Sequence, residues 1–229
     1  MLWYKGWLET RLRLAMLLTA ILFVLFQVYS HGDSKLSAPA LLNSLELLWV
    51  LTPMTLAGSG IRPESPFRMM KGLQGSMYFT LSLPVSRFRL LAVRAATGLL
   101  EIAALIAAAF CLAAAVLPAV RAQVMPADAL RYALTIFLCS AAGFGVSTLF
   151  ATFLDQQWQA FASMFVVFFG RALFTKYGAH PSTFDFYRAM GNASPLVTHA
   201  LPWTAIGLSV AIGAACLIAA VSVERVRQY

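Results

Sequence analysis

Charge is the scarcest property of this chain of 229 residues. Only 11% of its residues are Asp, Glu, Lys or Arg, where a soluble globular domain carries about 25%. Hydrophobic residues make up 60%. That balance excludes a water-soluble fold and points to a membrane protein. The small charged fraction is also lopsided, with 9 acidic side chains against 17 basic ones and a net charge of +8. In so apolar a chain, basic residues mark cytoplasmic loops, and no soluble basic domain is present to bind nucleic acid.

Cysteine is nearly absent. Cys111, Cys139 and Cys216 each sit in an apolar run without a CxxC or CxxH neighbourhood. They read as small core or lipid-facing residues, which excludes a disulfide framework or a zinc site built on them. Catalytic signatures are absent too. There is no GxxxxGK[ST] loop for ATP phosphates, no HExxH and no GxSxG elbow. His31, His180 and His199 are far apart and fall in predicted outer segments. No aspartate pair lies within a span. The chain is not expected to be an enzyme by itself, and any energy source belongs to another polypeptide. No internal repeat or low-complexity stretch divides it, so 1–229 reads as one membrane domain.

Long apolar runs are what the sequence has in abundance. About 20 apolar residues in a helix cross the hydrocarbon core. Six segments meet or approach that length: 14–29, 40–61, 88–117, 130–154, 158–174 and 203–223. The first could be the apolar part of a secretory signal, but no small-x-small site follows it, so it reads as a retained span. The fold class is therefore all-α with six transmembrane helices. With the N-terminus inside, inner segments hold Lys5, Arg11, Arg13, Arg62, Arg68, Lys71, Arg87, Arg89, Arg94, Arg225 and Arg227. Outer segments hold Lys35, Arg121, Arg131, Lys176 and Arg188. This asymmetry places both termini in the cytoplasm.

Three connecting regions stand out. Residues 1–13, MLWYKGWLETRLR, put Trp3, Trp7 and Thr10 on one helical face and Lys5, Glu9 and Arg13 on the other, the pattern of an interfacial helix. Residues 62–87 form the largest inner loop, with an apolar middle and a basic rim. Such a surface either folds back on its own spans or docks a soluble partner. Residues 175–202 form a long outer loop whose two apolar pieces, between Pro181, Pro195 and Pro202, are too short to span and suit re-entrant or interfacial half-helices.

Within the spans, Glu101 is the most informative residue. A charged group at a helix centre costs about 2.5–3.5 kcal/mol on insertion scales. Arg87, Arg94 and Glu101 recur every seven residues and share a stripe with Thr97 and Gly98. The stripe is either an interior polar seam or the flank of a span that begins deep in the cytoplasm, with the charge snorkelling outward. Glu46, near the outer part of span two, is interfacial or lines a cavity. Asp155, Gln156 and Gln157 read as a tight inner turn. Span five carries Trp158, Phe161, Phe165, Phe168, Phe169 and Phe174. Phe161, Phe165, Phe168 and Phe169, with Met164 near them, fall largely on one side, which suits packing, lipid contact or an apolar substrate path. Gly143, Gly145 and Ser147 in GFGVS permit close helix approach in span four.

The stretch SMYFTLSLPVSR, followed by an apolar run with Arg94, Gly98 and Glu101, resembles the first cytoplasmic loop and third span of ABC-type transporter permeases of the type-2 exporter class. The N-terminal WLETRLR, the six-span layout and the long outer loop before span six agree with it. The resemblance implies a homodimer or heterodimer of six-span subunits in a bacterial inner membrane, each docking a cytoplasmic ATPase that carries ATP and Mg. The docking element would be a coupling helix formed by Gly75, Ser76, Met77, Tyr78, Phe79, Thr80, Leu81, Ser82, Leu83 and Pro84, with Arg87 at its edge. It implies that spans two and five line the central path, with Phe161, Met164, Phe165 and Phe168 facing it, and that the pieces within 175–202 close the exit. No ATPase is fused to the chain, so that partner would be separate. Two readings stay open on the residues themselves: the membrane subunit of an ATP-driven exporter, and a non-transporting scaffold or sensor holding a soluble partner through the same loop. An intramembrane enzyme is disfavoured by the missing catalytic groups.

Overall fold

The computed structural model describes residues 2–30, 44–57, 87–154, 156–177, 185–191 and 193–226. Among these residues all regular structure is helical. In chain order the helices are α1 (Leu2–Ser30), α2 (Glu46–Leu56), α3 (Arg87–Val116), α4 (Pro118–Gln123), α5 (Pro126–Phe153), α6 (Gln156–Tyr177), α7 (Phe186–Met190), α8 (Pro195–Thr198) and α9 (Trp203–Val226).

Four helices are long and apolar enough to cross a membrane, through Thr10–Ser30, Leu91–Val116, Pro126–Phe153 and Trp203–Val223. These are the expected spans one, three, four and six, and the chain is an integral membrane protein on that evidence. The other two expected spans are represented by shorter apolar helices, Glu46–Leu56 and Trp158–Leu173. At 1.5 Å per residue the described part of α2 is about 16 Å long, roughly half a hydrocarbon core.

One expectation is corrected. Residues 2–30 form one helix, with no break between the amphipathic start and the apolar span. The segment 1–13 is therefore not a separate interfacial helix. Thr10 is buried against the bundle, which holds this first part of α1 in line with the rest.

Proline sets most of the boundaries. Pro118 and Pro126 open α4 and α5 at the first helical turn, where a missing N–H leaves nothing unpaired. Leu117 and Met125, just ahead of them, are extended, as residues preceding proline tend to be. Asp185 caps α7, its side chain accepting from the backbone N–H groups of Tyr187 and Arg188 at 3.0 and 3.2 Å. His199 ends α8 in the left-handed region, at φ 54°.

Helix α5 is the hub, packing against α2, α3, α6, α7, α8 and α9. The reason lies in its GFGVS run. A Cβ on Gly143 would sit 3.3 Å from the Pro53 ring on α2. Phe144 packs on Gly98 of α3, where a Cβ would sit 2.8 Å from the phenyl ring. A Cβ on Gly145 would sit 2.5 Å from the backbone oxygen of Gly213 on α9. Ser147 bonds to α2 and α6, as described below. Five consecutive residues thus bring α5 against four helices, and only small side chains permit the backbones to come so near.

The bundle has a consistent polarity. Leu91 near the start of α3 packs with Ala151 near the end of α5 and Val221 near the end of α9. The beginning of α1, the end of α2 and the beginning of α6 meet at the same end, termed proximal here. The opposite, distal end holds the start of α2, the start of α5, and α7 and α8.

Candidate functional site

The proximal end is organised around the terminus of α2. A helix leaves its last four carbonyls without intrahelical donors, and in an apolar bundle each needs a partner. Pro53 inside α2 further weakens the helix by removing one backbone donor. Three other helices supply what is missing. Ser147 of α5 donates its hydroxyl to the Met54 carbonyl at 3.0 Å. Arg13 of α1 donates from Nη1 to the Thr55 carbonyl at 3.0 Å. Gln159 of α6 donates from Nε2 to the Ala57 carbonyl and to Ser147 Oγ, each at 2.8 Å. Gln159 is 2% exposed and Ser147 fully buried, so water does not compete for these bonds.

Glu101 lies beside this collar. It is 5% exposed, which favours the interior polar seam over the snorkelled flank. Its Oε1 accepts a short hydrogen bond from Thr10 Oγ1 of α1, while its Oε2 is buried without a hydrogen-bond partner. Arg13 is within electrostatic reach of it. On the shared stripe, Thr97 is buried and bonded to the Val93 carbonyl at 2.8 Å, and Arg94 is half-buried. Arg87 is the first residue of α3. Residues 75–84, the expected docking segment, lie outside the described residues, as does Asp155.

The distal end carries a second polar group. Arg171 of α6 places its Nε 3.5 Å from Asp185 Oδ2 and its guanidinium 4.6 Å from the Tyr187 ring centre. Glu46, half-buried at the start of α2, lies against Gly191 and within electrostatic reach of Arg171 and Asp185. Burial pushes the Tyr187 phenol well above its ordinary range, so it remains a neutral hydroxyl. Tyr132 of α5 donates to the Met190 carbonyl at 2.6 Å, fastening α7. One turn earlier on α5, Asp128 accepts from Arg131 at 2.9 Å and meets His199 Nδ1 at 2.7 Å, while Arg131 also donates to the His199 carbonyl at 3.1 Å. Helices α7 and α8 are therefore pinned at both ends of the 185–199 segment, where short pieces were expected.

Span five divides its aromatic residues. Phe161 and Phe165 are 67% and 65% exposed, and Phe165 stacks on Phe169 at 5.3 Å. Met164 and Phe168 instead pack against the core, Phe168 meeting Tyr187 at 5.9 Å. The four candidate path residues thus occupy two faces, because Met164 and Phe168 fall on the flank of the inward Gln159–Ser163–Val167 stripe. Gln159 itself carried no weight in the sequence reading, nor did the Asp128–His199 and Arg171–Asp185 pairs. The available signal was an amide one helical turn before Ser163 and opposite the aromatic stripe.

The three cysteines are free, Cys111 exposed and Cys139 buried. Among the described residues no group of three or more His, Cys, Asp or Glu side chains is placed to hold a metal. No protein-family model, no curated protein and no solved structure matches this chain.

Proposed function

We propose that this chain is the transmembrane subunit of an ATP-driven exporter of the ABC type-2 class, working with a separate cytoplasmic ATPase. The observation that carries the reading is the build of the proximal end. The end of α2 and the start of α3, which flank residues 58–86 in sequence, both lie there. Both ends of the described chain lie at that same end. The terminus of α2 is held by side chains from α1, α5 and α6, so a force applied to the segment reaches three helices at once. A docking surface with the apolar middle and basic rim of residues 75–87 suits such a lever, and the TLSLPVSR resemblance names the partner class.

In this reading both termini and the docking segment face the cytoplasm. The permease acts as a dimer, with the exposed aromatic face of α6, through Phe161 and Phe165, toward the central path. Helices α7 and α8 cover the outer side. ATP and Mg bind on the partner, and closure of the ATPase pair shifts the permease between inward-facing and outward-facing states. The substrate is apolar or amphipathic.

The test is a mild-detergent pull-down of the chain from its own membranes, beside the double variant Phe79→Asp, Leu81→Asp. A P-loop ATPase that co-purifies with the wild type and is lost in the variant is the expected result. A folded chain in good yield without any ATPase overturns the exporter reading and leaves a membrane scaffold in its place.

A further inference from the structure

We propose that Gln159 is a positioning residue that transmits displacement of the end of α2 to α6, the helix bearing the exposed aromatic face. The inference deepens the exporter reading and rests on it.

Ala57 is the last described residue before the segment between α2 and α3, and its carbonyl accepts from Gln159 Nε2 at 2.8 Å. The same nitrogen donates to Ser147 Oγ at 2.8 Å, and the Ser147 hydroxyl donates to the Met54 carbonyl at 3.0 Å. The amide thus grips α2 twice, once directly and once through α5. The site is dry: Gln159 is 2% exposed. A dry hydrogen bond has no water to replace it, so parting α2 from α6 would orphan the Ala57 carbonyl. The two helix ends therefore move as one.

Beyond this point α6 is next gripped by a polar side chain only at its distal end, where Arg171 pairs with Asp185. The Ser163 hydroxyl turns back to the Gln159 carbonyl at 2.7 Å, and Val167 is apolar. On the opposite face Phe161, Phe165 and Phe169 are exposed. A shift applied at Gln159 acts at the proximal tip of a helix whose far face is unrestrained, and the aromatic face moves with it.

A buried amide capping a broken helix end could instead serve stability alone, and the test must separate the two. A bimane label on Val166→Cys, with Cys111, Cys139 and Cys216 replaced by alanine, reports on α6 in nanodiscs containing the complex with its co-purified ATPase. Mg-ATP with vanadate is the stimulus. With Gln159 present, ATP changes the bimane emission. Gln159→Met keeps the volume and removes the donors, and it lowers the amplitude about fivefold or more while the ATPase still co-purifies in equal amount. Ser147→Ala leaves the direct Ala57 bond and lowers the amplitude about twofold. Full amplitude in Gln159→Met overturns the inference, and full amplitude in Ser147→Ala does so if Gln159→Met does not fold. An ATP response missing from the label with Gln159 intact and ATPase bound also overturns it, leaving the exporter reading standing. If no ATPase co-purifies with the wild type, the exporter reading falls and the inference falls with it.

Discussion

Glu101 on α3 accepts a hydrogen bond from Thr10 on α1, 91 residues away in sequence, at a depth where its second carboxyl oxygen is buried without a partner. One bond between two spans therefore satisfies half of a carboxyl group, and Arg13 lies near enough to act on its charge. Such a half-satisfied acid inside a bundle is costly to keep.

The variants at this pair are expected to behave differently. Thr10→Val leaves Glu101 with neither oxygen bonded and lowers stability by about 1–3 kcal/mol. Glu101→Gln keeps an acceptor for Thr10 and removes the charge, so thermal stability holds or rises while ATP-coupled turnover of the complex falls about tenfold. Thermal unfolding in detergent and ATP hydrolysis by the reconstituted complex check the two outcomes. Unchanged turnover in Glu101→Gln would leave the carboxylate without a functional part.

The α5–α9 crossing has no room for a methyl group. Gly145→Ala drives its Cβ to within 2.5 Å of Gly213 backbone, which cannot swing aside as a side chain can. The expected loss is about 1–3 kcal/mol from overpacking. Gly207, on the same α9, faces open space, and Gly207→Ala stabilises its helix by about 0.5–1 kcal/mol. Opposite shifts of the unfolding midpoint verify the contrast.

Asp128 ties the start of α5 to the end of α8 through Arg131 and His199. Asp128→Ala removes both bonds from a carboxylate with an 8% exposed side chain. The amides of 196–199 are then expected to exchange with deuterium at least about fivefold faster, since their local opening loses its clamp. Exchange at α7, fastened independently by Tyr132 to the Met190 carbonyl, should stay as it was.

Reporter fusions ahead of Met1 and after Tyr229 should report one compartment, the cytoplasm. An external report from either end would refute the proposed orientation and the docking of an ATPase on residues 75–87.

Much of the helical layout was legible before any coordinates. Spans one, three, four and six have unbroken apolar runs, and a run of that length has one stable form in lipid, because each backbone group must be paired within the segment. The close-packing role of Gly143, Gly145 and Ser147 was legible as well, since small residues at short spacing have no other use in an apolar helix. Residues 1–13 misled, because the amphipathic stripe of Trp3, Trp7 and Thr10 serves equally for a membrane surface and for a bundle. Thr10 belongs to the bundle. Phe168 was grouped with Phe161 and Phe165 on angular position, yet it packs inward, since a helix flank is inner or outer according to what stands beside it.

By itself the sequence determined that this is an integral membrane protein with helical spans, and where four of those spans fall. Those properties follow from the local cost of exposing peptide groups or charges to hydrocarbon, which each segment feels alone. Only the tertiary structure decided that Arg13, Ser147 and Gln159 converge on the end of α2, that Glu101 meets Thr10, and that Asp128 meets His199. These contacts join residues 12 to 102 positions apart. Around the end of α2 and Glu101 the partners are backbone carbonyls and single hydroxyls, which leave no pattern in a sequence, and their strength comes from a dry surrounding that exists only once the helices have packed.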